Sequence, residues 1–166
     1  SIRKKGKEDT IKKVIHLTGK LRKFKIDLRR PLFKSIHKAF GGQFRIGICG
    51  AAPIDPEIIR FFDQIGVRII QVYGLTETAP VVAGCNDRVF VPGTVGHPLS
   101  GITIAIDTET DGGEGEILVK GPVVMQGYYQ DDAATQEVID AEGWFHTGDV
   151  GRVDEHGCLV ITGRLK

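Results

Sequence analysis

The densest group of residues that could do chemistry is the stretch 71–78, QVYGLTET. It follows an apolar run that predicts a buried strand, and in open α/β sheets ligands bind beyond the carboxyl ends of the strands. Tyr73 offers an aromatic face for a base, Gly74 lets the backbone approach a ligand, and Glu77 is a carboxylate of the type that holds Mg²⁺. Thr76 adds a hydroxyl for a phosphate. The alternative is a polar turn with a capping threonine, and the stretch by itself leaves both open.

The common nucleotide and hydrolase motifs are absent from the sequence. It has no GxxxxGK[ST] loop, no GxSxG, no HExxH and no GxGxxG after a strand. A nucleotide site in this chain must therefore be of another kind.

Further short motifs occur along the chain in a defined order. They are 50–53 (GAAP), 73–77 (YGLTE), 93–99 (GTVGHPL), 115–117 (GEI), 125–129 (MQGYY), 143–149 (GWFHTGD) and 163–166 (GRLK). Together they resemble the motifs of the adenylate-forming superfamily, which includes acyl-CoA synthetases, luciferases and peptide-synthetase adenylation domains. The resemblance covers about residues 50–166, which is most of the chain.

The resemblance implies a site for ATP and AMP with a role at each matching position. Tyr73 is expected to stack on adenine, with the backbone of the 50–52 loop on the other side of the base. Asp149 is expected to accept hydrogen bonds from both ribose hydroxyls, because a carboxylate has two acceptor oxygens. Arg164 is expected to reach the ribose or a phosphate. The remaining nucleotide-binding residues that the resemblance implies are Gly50, Ala51, Ala52, Gln71 and Gly74.

The same resemblance assigns the catalytic positions. Thr76 is expected to bind the α-phosphate, and Glu77 to hold Mg²⁺ between phosphates. Lys166 matches the family's hinge residue, about which a small C-terminal domain rotates.

The branch of the superfamily that fits best is a long-chain fatty acid–CoA ligase. Such an enzyme converts a carboxylate into an acyl-AMP and then lets the sulfur of CoA displace AMP, so fatty acid, ATP and CoA are the expected substrates. The basic helical stretch before Gly41 resembles an insertion of long-chain ligases. The apolar Ala79, Val81 and Val82 could border an acyl tunnel.

The motifs that the sequence lacks indicate an internal fragment of such a ligase. The family's Ser/Thr/Gly-rich phosphate loop and its C-terminal catalytic lysine are both missing from the sequence, so the chain alone is predicted to be inactive. The alternatives are another acyl- or aryl-CoA ligase, a peptide-synthetase adenylation domain, and a non-catalytic nucleotide-binding module.

The elements that must position these residues predict an α/β fold. A parallel βαβ unit is followed by a small antiparallel β subdomain, together part of a large N-terminal domain. The predicted division is a basic helical segment over 1–42, an α/β nucleotide-binding subdomain over 43–92, an antiparallel β subdomain over 93–163, and the start of a hinge over 164–166.

Local signals place the individual elements. Helical periodicity is present over 8–24, and a second helix is predicted over about 31–40, ending at two glycines. A buried strand is expected over 44–49. A helix then begins at the capping residue Asp55, has its inner face at 58, 59, 61, 62 and 65, and ends at Gly66. The next strand covers 67–72. In the second half, strands are expected at 102–106, 116–119, 149–153 and 158–162, with a turn at 111–113, a short helix ending near 139 and a hairpin turn at 154–157.

Charge is distributed unevenly along the chain. Residues 1–45 contain 15 lysines and arginines against three acids, so their net charge is about +12, while the remainder is about −11. The segment is interpreted as packing on acidic parts of the same protein, with peripheral contact of residues 1–40 to an acidic membrane as the alternative. Nucleic acid is not the expected partner, because a base-stacking platform would need more aromatic residues.

The three cysteines have no CxxC spacing, which argues against a zinc site or a redox pair. Cys49 and Cys158 lie in apolar, strand-like stretches, which favours reduced thiols and a cytoplasmic protein, with the inner membrane face as the peripheral alternative; Cys85 says less. Other conspicuous side chains receive structural interpretations: Trp144 as a core anchor, His146 as a packing or turn residue, and Tyr128 and Tyr129 as barrel packing.

Overall fold

A computed structural model describes residues 2–86, 89–108 and 113–165, with side chains from residue 9 onward. The chain divides into two compact units, Ser1–Gly47 with Asp55–Ile69 and Ile48–Ile54 with Ile70–Lys166. This division does not test the domain boundaries that the sequence suggests, and those boundaries stay predictions. No helix formed by the described residues has the length and apolar character needed to cross a membrane.

The basic segment is helical, as predicted. Its helices are α1 (Ile2–Arg22), α2 (Arg29–Leu32) and α3 (Lys34–Ala39). The single helix expected over 31–40 is wrong, because the chain leaves helical geometry at Phe33 (φ −101°, ψ 26°), whose ring is only 4 % exposed. Burial of this ring accompanies the break. Gly41 and Gly42 then end the segment with positive φ angles, as expected.

The helix α4 (Pro56–Gln64) begins and ends where the sequence indicates. The Asp55 carboxylate accepts a hydrogen bond from the backbone N–H of Glu57 at 2.8 Å, and Gly66 follows with φ +88°. The predicted inner face is only partly right. Ile59 and Ile65 are buried, but Ile58 and Phe61 are 45 % and 39 % exposed, because successive residues turn about 100° around the axis and cannot all face inward.

The first sheet has the strand order β1 (Ile46–Cys49), β2 (Arg68–Tyr73), β3 (Ala83–Gly84) and β4 (His97–Pro98). The β1–α4–β2 crossover is the predicted βαβ unit. The sheet also contains two short strands that the sequence did not predict, and the pairs β2–β3 and β3–β4 are antiparallel. The nine-residue connection 74–82 contains no crossover helix, so β3 can only return antiparallel.

The strand β1 is less buried than its apolar sequence suggests. Ile46 and Ile48 are 52 % and 74 % exposed. The strand lies at the end of the sheet order, so it has one neighbouring strand rather than two.

The second sheet is the antiparallel meander that the sequence predicts. Its strands are β5 (Thr103–Asp107), β6 (Gly115–Lys120), β7 (Phe145–Val153) and β8 (Leu159–Arg164). The Asp154 carboxylate closes the β7–β8 hairpin by accepting from the backbone N–H of His156 at 2.9 Å and of Cys158 at 2.8 Å. The helix α5 (Asp132–Val138) is capped by Asp131. The predicted turn at 111–113 lies largely outside the described residues.

A buried apolar cluster joins β3 to the meander within the second unit. Its members are Val82, Ala83, Val95, Ile117, Val119 and Leu159. This cluster fixes the end of β2 next to β6 and β7, where the candidate site residues lie.

Candidate nucleotide site

The loop after β2 is a short 3-10 turn, Thr76–Thr78. The Thr78 hydroxyl accepts from the Leu75 N–H at 2.9 Å and donates to the Leu75 carbonyl at 3.0 Å, and its side chain is fully buried. The capping threonine of this turn is therefore Thr78. Thr76 is exposed, and its hydroxyl, unlike its carbonyl, has no hydrogen-bond partner among the described residues, so the hydroxyl is free to meet a ligand.

Gly74 is required by close packing of the chain. A Cβ atom at this position would overlap the Pro80 carbonyl and lie 2.8 Å from the Cα of Val81. The Val82 N–H donates to the Tyr73 carbonyl at 2.8 Å, which holds the returning chain there. The tight return positions Tyr73 and the following turn.

Tyr73 and Asp149 meet across 76 residues of sequence. The Tyr73 hydroxyl donates to Asp149 Oδ2 at 2.7 Å, and the Asp149 side chain is 16 % exposed. Burial raises the pKa of Tyr73 well above its usual range, and the bond to the carboxylate acts in the same direction. The hydroxyl is therefore protonated at neutral pH and serves as the donor.

The irregular stretch of β7 that carries Asp149 is held in place by Glu116 on β6. Glu116 Oε1 accepts from the Gly148 N–H at 2.8 Å, and Oε2 lies 2.9 Å from His146 Nδ1. Since a carboxylate only accepts, Nδ1 carries the proton. Gly148 has φ +69°, a conformation that side chains rarely adopt. The Asp149 N–H donates to the Thr147 hydroxyl at 3.1 Å, which fixes the backbone on the other side.

Arg164 lies next to the same carboxylate. Its Nε is 3.7 Å from Asp149 Oδ1, and its side chain is 74 % exposed. The arginine is thus close to Asp149 but does not form a hydrogen bond with it. Lys166, the predicted hinge residue, lies outside the described residues.

Glu77 lines a cleft of about 360 Å³ together with Tyr128, Glu137 and His146. Its Oε1 accepts from the Tyr128 hydroxyl at 3.1 Å, and its carbonyl accepts from the Met125 N–H. Within the described part of the chain, Glu77 forms no ion pair with a lysine or arginine. A half-exposed carboxylate without a cationic partner suits a hard cation such as Mg²⁺.

Gln71 precedes Tyr73 by two residues on β2, so both side chains lie on the same face of the strand. Its side chain is 9 % exposed, and Oε1 is buried without a hydrogen-bond partner among the described groups. An orphaned acceptor is costly unless a ligand or water supplies a donor.

The loop at 50–52 follows β1. Gly50 lies against Val72, since a Cβ atom on Gly50 would be 3.0 Å from Val72 Cγ2. Ala51 has φ +65° and is exposed, as is Ala52. The loop therefore runs beside the end of β2, and its contact with a base stays a prediction.

Comparison with known proteins decides which family has this arrangement. Residues 12–129, most of the chain, match the AMP-binding enzyme family. The chain belongs to this family. The resemblance to the adenylate-forming superfamily is thereby confirmed.

Relatives of this chain include proteins named as fatty-acid ligases. The chain is 37 % identical over 154 residues to a long-chain-fatty-acid–[acyl-carrier-protein] ligase, AEE15, of Arabidopsis thaliana, covering 83 % of this chain and 21 % of that protein. It is 39 % identical over 137 residues to the long-chain-fatty-acid–CoA ligase FadD15 of Mycobacterium bovis, covering 82 % and 22 %. The chain thus spans about a fifth of the length of these curated relatives.

A crystal structure of ATP-bound MatB from Rhodopseudomonas palustris has the same fold over the matched part. The TM-score is 0.65 at 36 % identity, covering 74 % of this chain and 26 % of that one.

Several side chains have environments that differ from those the sequence suggests. Tyr129 is 90 % exposed and Tyr128 is 38 % exposed with its hydroxyl on Glu77, so barrel packing is wrong for both. Trp144 is half-buried, with Lys120 Nζ 5.5 Å from its ring centroid, and is not a core anchor. His146 lies in strand β7 rather than in a turn, and its Nδ1 contacts Glu116 Oε2, so the packing role that the sequence suggests for it stays a prediction.

Sequence analysis missed Glu116 and Thr147 as parts of the site. Both lie inside the motifs GEI and GWFHTGD, so the motifs gave their positions. Their contacts depend on the register between β6 and β7, which no local pattern specifies.

Proposed function

We propose that this chain is part of an ATP-dependent long-chain fatty acid–CoA ligase and contributes its adenosine site. The observation that carries the proposal is the 2.7 Å contact between Tyr73 and Asp149, because it brings an aromatic ring and a carboxylate together at the carboxyl end of a strand. An aromatic face suits a purine, and a carboxylate suits a ribose diol.

Four residues would hold the nucleoside. The Tyr73 ring would lie on adenine, and the orphaned Gln71 Oε1 would accept from a base N–H. Asp149 would accept from the ribose hydroxyls. Arg164, close to Asp149 but exposed, would turn to the ribose or a phosphate.

The phosphates would lie over the 3-10 turn. The exposed Thr76 hydroxyl would donate to an oxygen of the α-phosphate. Glu77 fits a Mg²⁺ ligand because it is an oxygen donor with no cationic partner among the described residues. The ion, when bound, supplies charge neutralisation for the phosphate oxygens.

The proposed reaction has two steps. A carboxylate oxygen of the fatty acid attacks the α-phosphorus of ATP, and pyrophosphate leaves with the electron pair of the broken P–O bond. The thiol sulfur of CoA then attacks the acyl carbon, the thiol proton is lost, and AMP leaves. The residues of this chain would bind and orient the nucleotide, so that its reaction with the carboxylate becomes effectively unimolecular.

The long-chain substrate rests on the names of relatives that are 37–39 % identical. Those two relatives differ in the named acceptor, CoA in one and acyl-carrier protein in the other. CoA is proposed here, with acyl-carrier protein as a second acceptor to be tested. Another acyl- or aryl-CoA ligase, a peptide-synthetase adenylation domain and a non-catalytic nucleotide-binding module are the alternatives.

The test is ATP–pyrophosphate exchange by the protein that contains this chain, across carboxylates of two to eighteen carbons, aryl acids and amino acids. We expect exchange to be fastest with long fatty acids. If exchange were fastest with an aryl acid or an amino acid, that acid would be the substrate class instead of fatty acids. No exchange with any acid would favour the non-catalytic module.

The nucleotide site is tested by Asp149→Ala with ATP and with 2′,3′-dideoxy-ATP. A hydrogen bond to a charged group contributes about 1.5–3 kcal/mol, so binding of ATP should weaken about 10- to 150-fold. The loss should be far smaller with the dideoxy analogue, which has neither hydroxyl. Equal losses with the two nucleotides would refute the ribose role.

We also propose that residues 1–40 make a peripheral contact with anionic membrane. Between α1 and α2, Phe24 and Ile26 are 76 % and 47 % exposed and alternate with the exposed Lys23 and Lys25. Basic and apolar side chains together suit an anionic lipid surface. Part of the segment's charge is used internally, since Arg22 pairs with Asp63 at 3.0 Å. Cytoplasmic location stays a prediction.

A further inference from the structure

The contact between Tyr73 and Asp149 has a second consequence, which concerns the hydroxyl rather than the ring. Stacking on a base needs only the aromatic face. The hydroxyl instead donates to Asp149 Oδ2 at 2.7 Å, the usual distance for an O–H···O hydrogen bond. Both side chains are largely buried, so this contact is shielded from competing water.

None of the other described contacts of Asp149 is a hydrogen bond to its carboxylate. Thr147 fixes the backbone N–H of Asp149, and Glu116 fixes that of Gly148, but neither touches the carboxylate. Arg164 lies 3.7 Å from Oδ1, beyond hydrogen-bond range, and is largely exposed. Among the described contacts, the Tyr73 hydroxyl alone makes a hydrogen bond to this carboxylate.

We propose that the Tyr73 hydroxyl is a positioning group that holds Asp149 in the orientation needed to accept from the ribose diol. This inference rests on the proposed function, in which Asp149 binds ribose. A carboxylate has about four lone-pair positions, so one bond from Tyr73 leaves acceptor positions for both hydroxyls. The donor therefore orients the carboxylate without blocking it.

The arrangement couples recognition of base and sugar through one side chain. The ring of Tyr73 would contact the base, and its hydroxyl would orient the Asp149 carboxylate, which contacts the sugar. A ligand that stacks on the ring thereby meets a carboxylate already in place. Pre-organisation of this kind lowers the ordering cost of binding.

The decisive variant is Tyr73→Phe, which keeps the aromatic face and deletes only the hydroxyl. In the protein that contains this chain, the dissociation constants of ATP and 2′,3′-dideoxy-ATP are measured by calorimetry. We expect ATP to bind about tenfold more weakly, or ~1.4 kcal/mol, and the dideoxy analogue to change less than about twofold. The ratio of the two constants is unaffected by any unfolded fraction, because both nucleotides meet the same folded protein.

Tyr129→Phe is the matched control, since it deletes a hydroxyl from a tyrosine that is 90 % exposed. It should leave both constants unchanged. In an Asp149→Ala background, Tyr73→Phe should cause no further loss of ribose preference, because the group it orients is gone. A further loss there would overturn the proposal.

Equal weakening of ATP and the dideoxy analogue by Tyr73→Phe would also overturn it, since the hydroxyl would then not act through the sugar. The proposed function fails by a different result, namely equal losses for the two nucleotides in Asp149→Ala. If Tyr73→Phe does not fold because it leaves the charge of Asp149 without its donor, Asp149→Asn is compared with the double variant Tyr73→Phe/Asp149→Asn. The amide oxygen still accepts from the hydroxyl, so its deletion should again reduce ribose preference, and no change would refute the inference.

Discussion

Replacing Glu77 by glutamine should damage the chemistry and spare the fold. Glu77 has one described side-chain partner, the Tyr128 hydroxyl at 3.1 Å, and Tyr128 is 38 % exposed. Glutamine keeps an oxygen that can accept this bond, so the free energy of unfolding should change by at most about 0.5 kcal/mol. For a domain of 150–250 residues this shifts the melting temperature by about 1–2 °C.

The expected loss of activity is larger, because the charge that would bind Mg²⁺ is removed. Adenylation should fall at least about tenfold, which corresponds to roughly 1.4 kcal/mol of transition-state stabilisation. The assay is ATP–pyrophosphate exchange over a range of Mg²⁺ concentrations, and higher Mg²⁺ should recover part of the rate. Paramagnetic resonance of Mn²⁺ with bound nucleotide gives a readout of metal affinity that does not depend on turnover.

Glu137→Gln is the matched control, because Glu137 lines the same cleft and loses the same charge. Its dependence on Mg²⁺ should shift by less than about threefold, since exposed charges at a distance interact weakly in water. A similar shift in both variants would mean that only the overall charge of the cleft matters. A Glu77→Gln protein that unfolds but keeps normal specific activity in its folded fraction would show that Glu77 is structural and would refute the metal assignment.

Two further predictions concern the chain as a whole. The purified 166-residue chain should form no acyl-AMP from ATP and a fatty acid, because it spans about a fifth of its relatives and its sequence lacks the expected phosphate loop; detectable acyl-AMP would contradict this. The protein that contains this chain should sediment with anionic vesicles at low salt, less at high salt, and less again when Phe24 and Ile26 are replaced by serine. Equal binding to neutral vesicles, or none to either, would leave the basic segment with an intramolecular role.

Local chemistry made a large part of the fold predictable. The predictions that Asp55 caps α4 and that Gly66 ends it were correct, because each feature depends on a few neighbouring backbone groups. The 154–157 hairpin was correct for the same reason. The antiparallel second sheet followed from alternating strands with short turns between them.

Errors occurred where burial decides the outcome. Phe33 breaks a helix that periodicity alone would continue, and its ring is buried. Ile48 is apolar and lies in a strand, and yet it is 74 % exposed. Tyr129 is a large aromatic residue of the type that packs in cores, and yet it is 90 % exposed. In each case the residue type permits two environments, and contacts with distant parts of the chain select one.

The sequence by itself determined the family and the identity of the candidate groups. The residue types and spacing within motifs such as 73–77 and 143–149 can be read directly from the linear sequence. Tertiary structure decided which of those groups meet. The bond between Tyr73 and Asp149 spans 76 residues, and the brace from Glu116 to Gly148 spans 32. Such contacts depend on strand register and on the packing of the buried apolar cluster that includes Val82 and Leu159. Both depend on residues that are far apart in the sequence, so no short stretch of sequence specifies them.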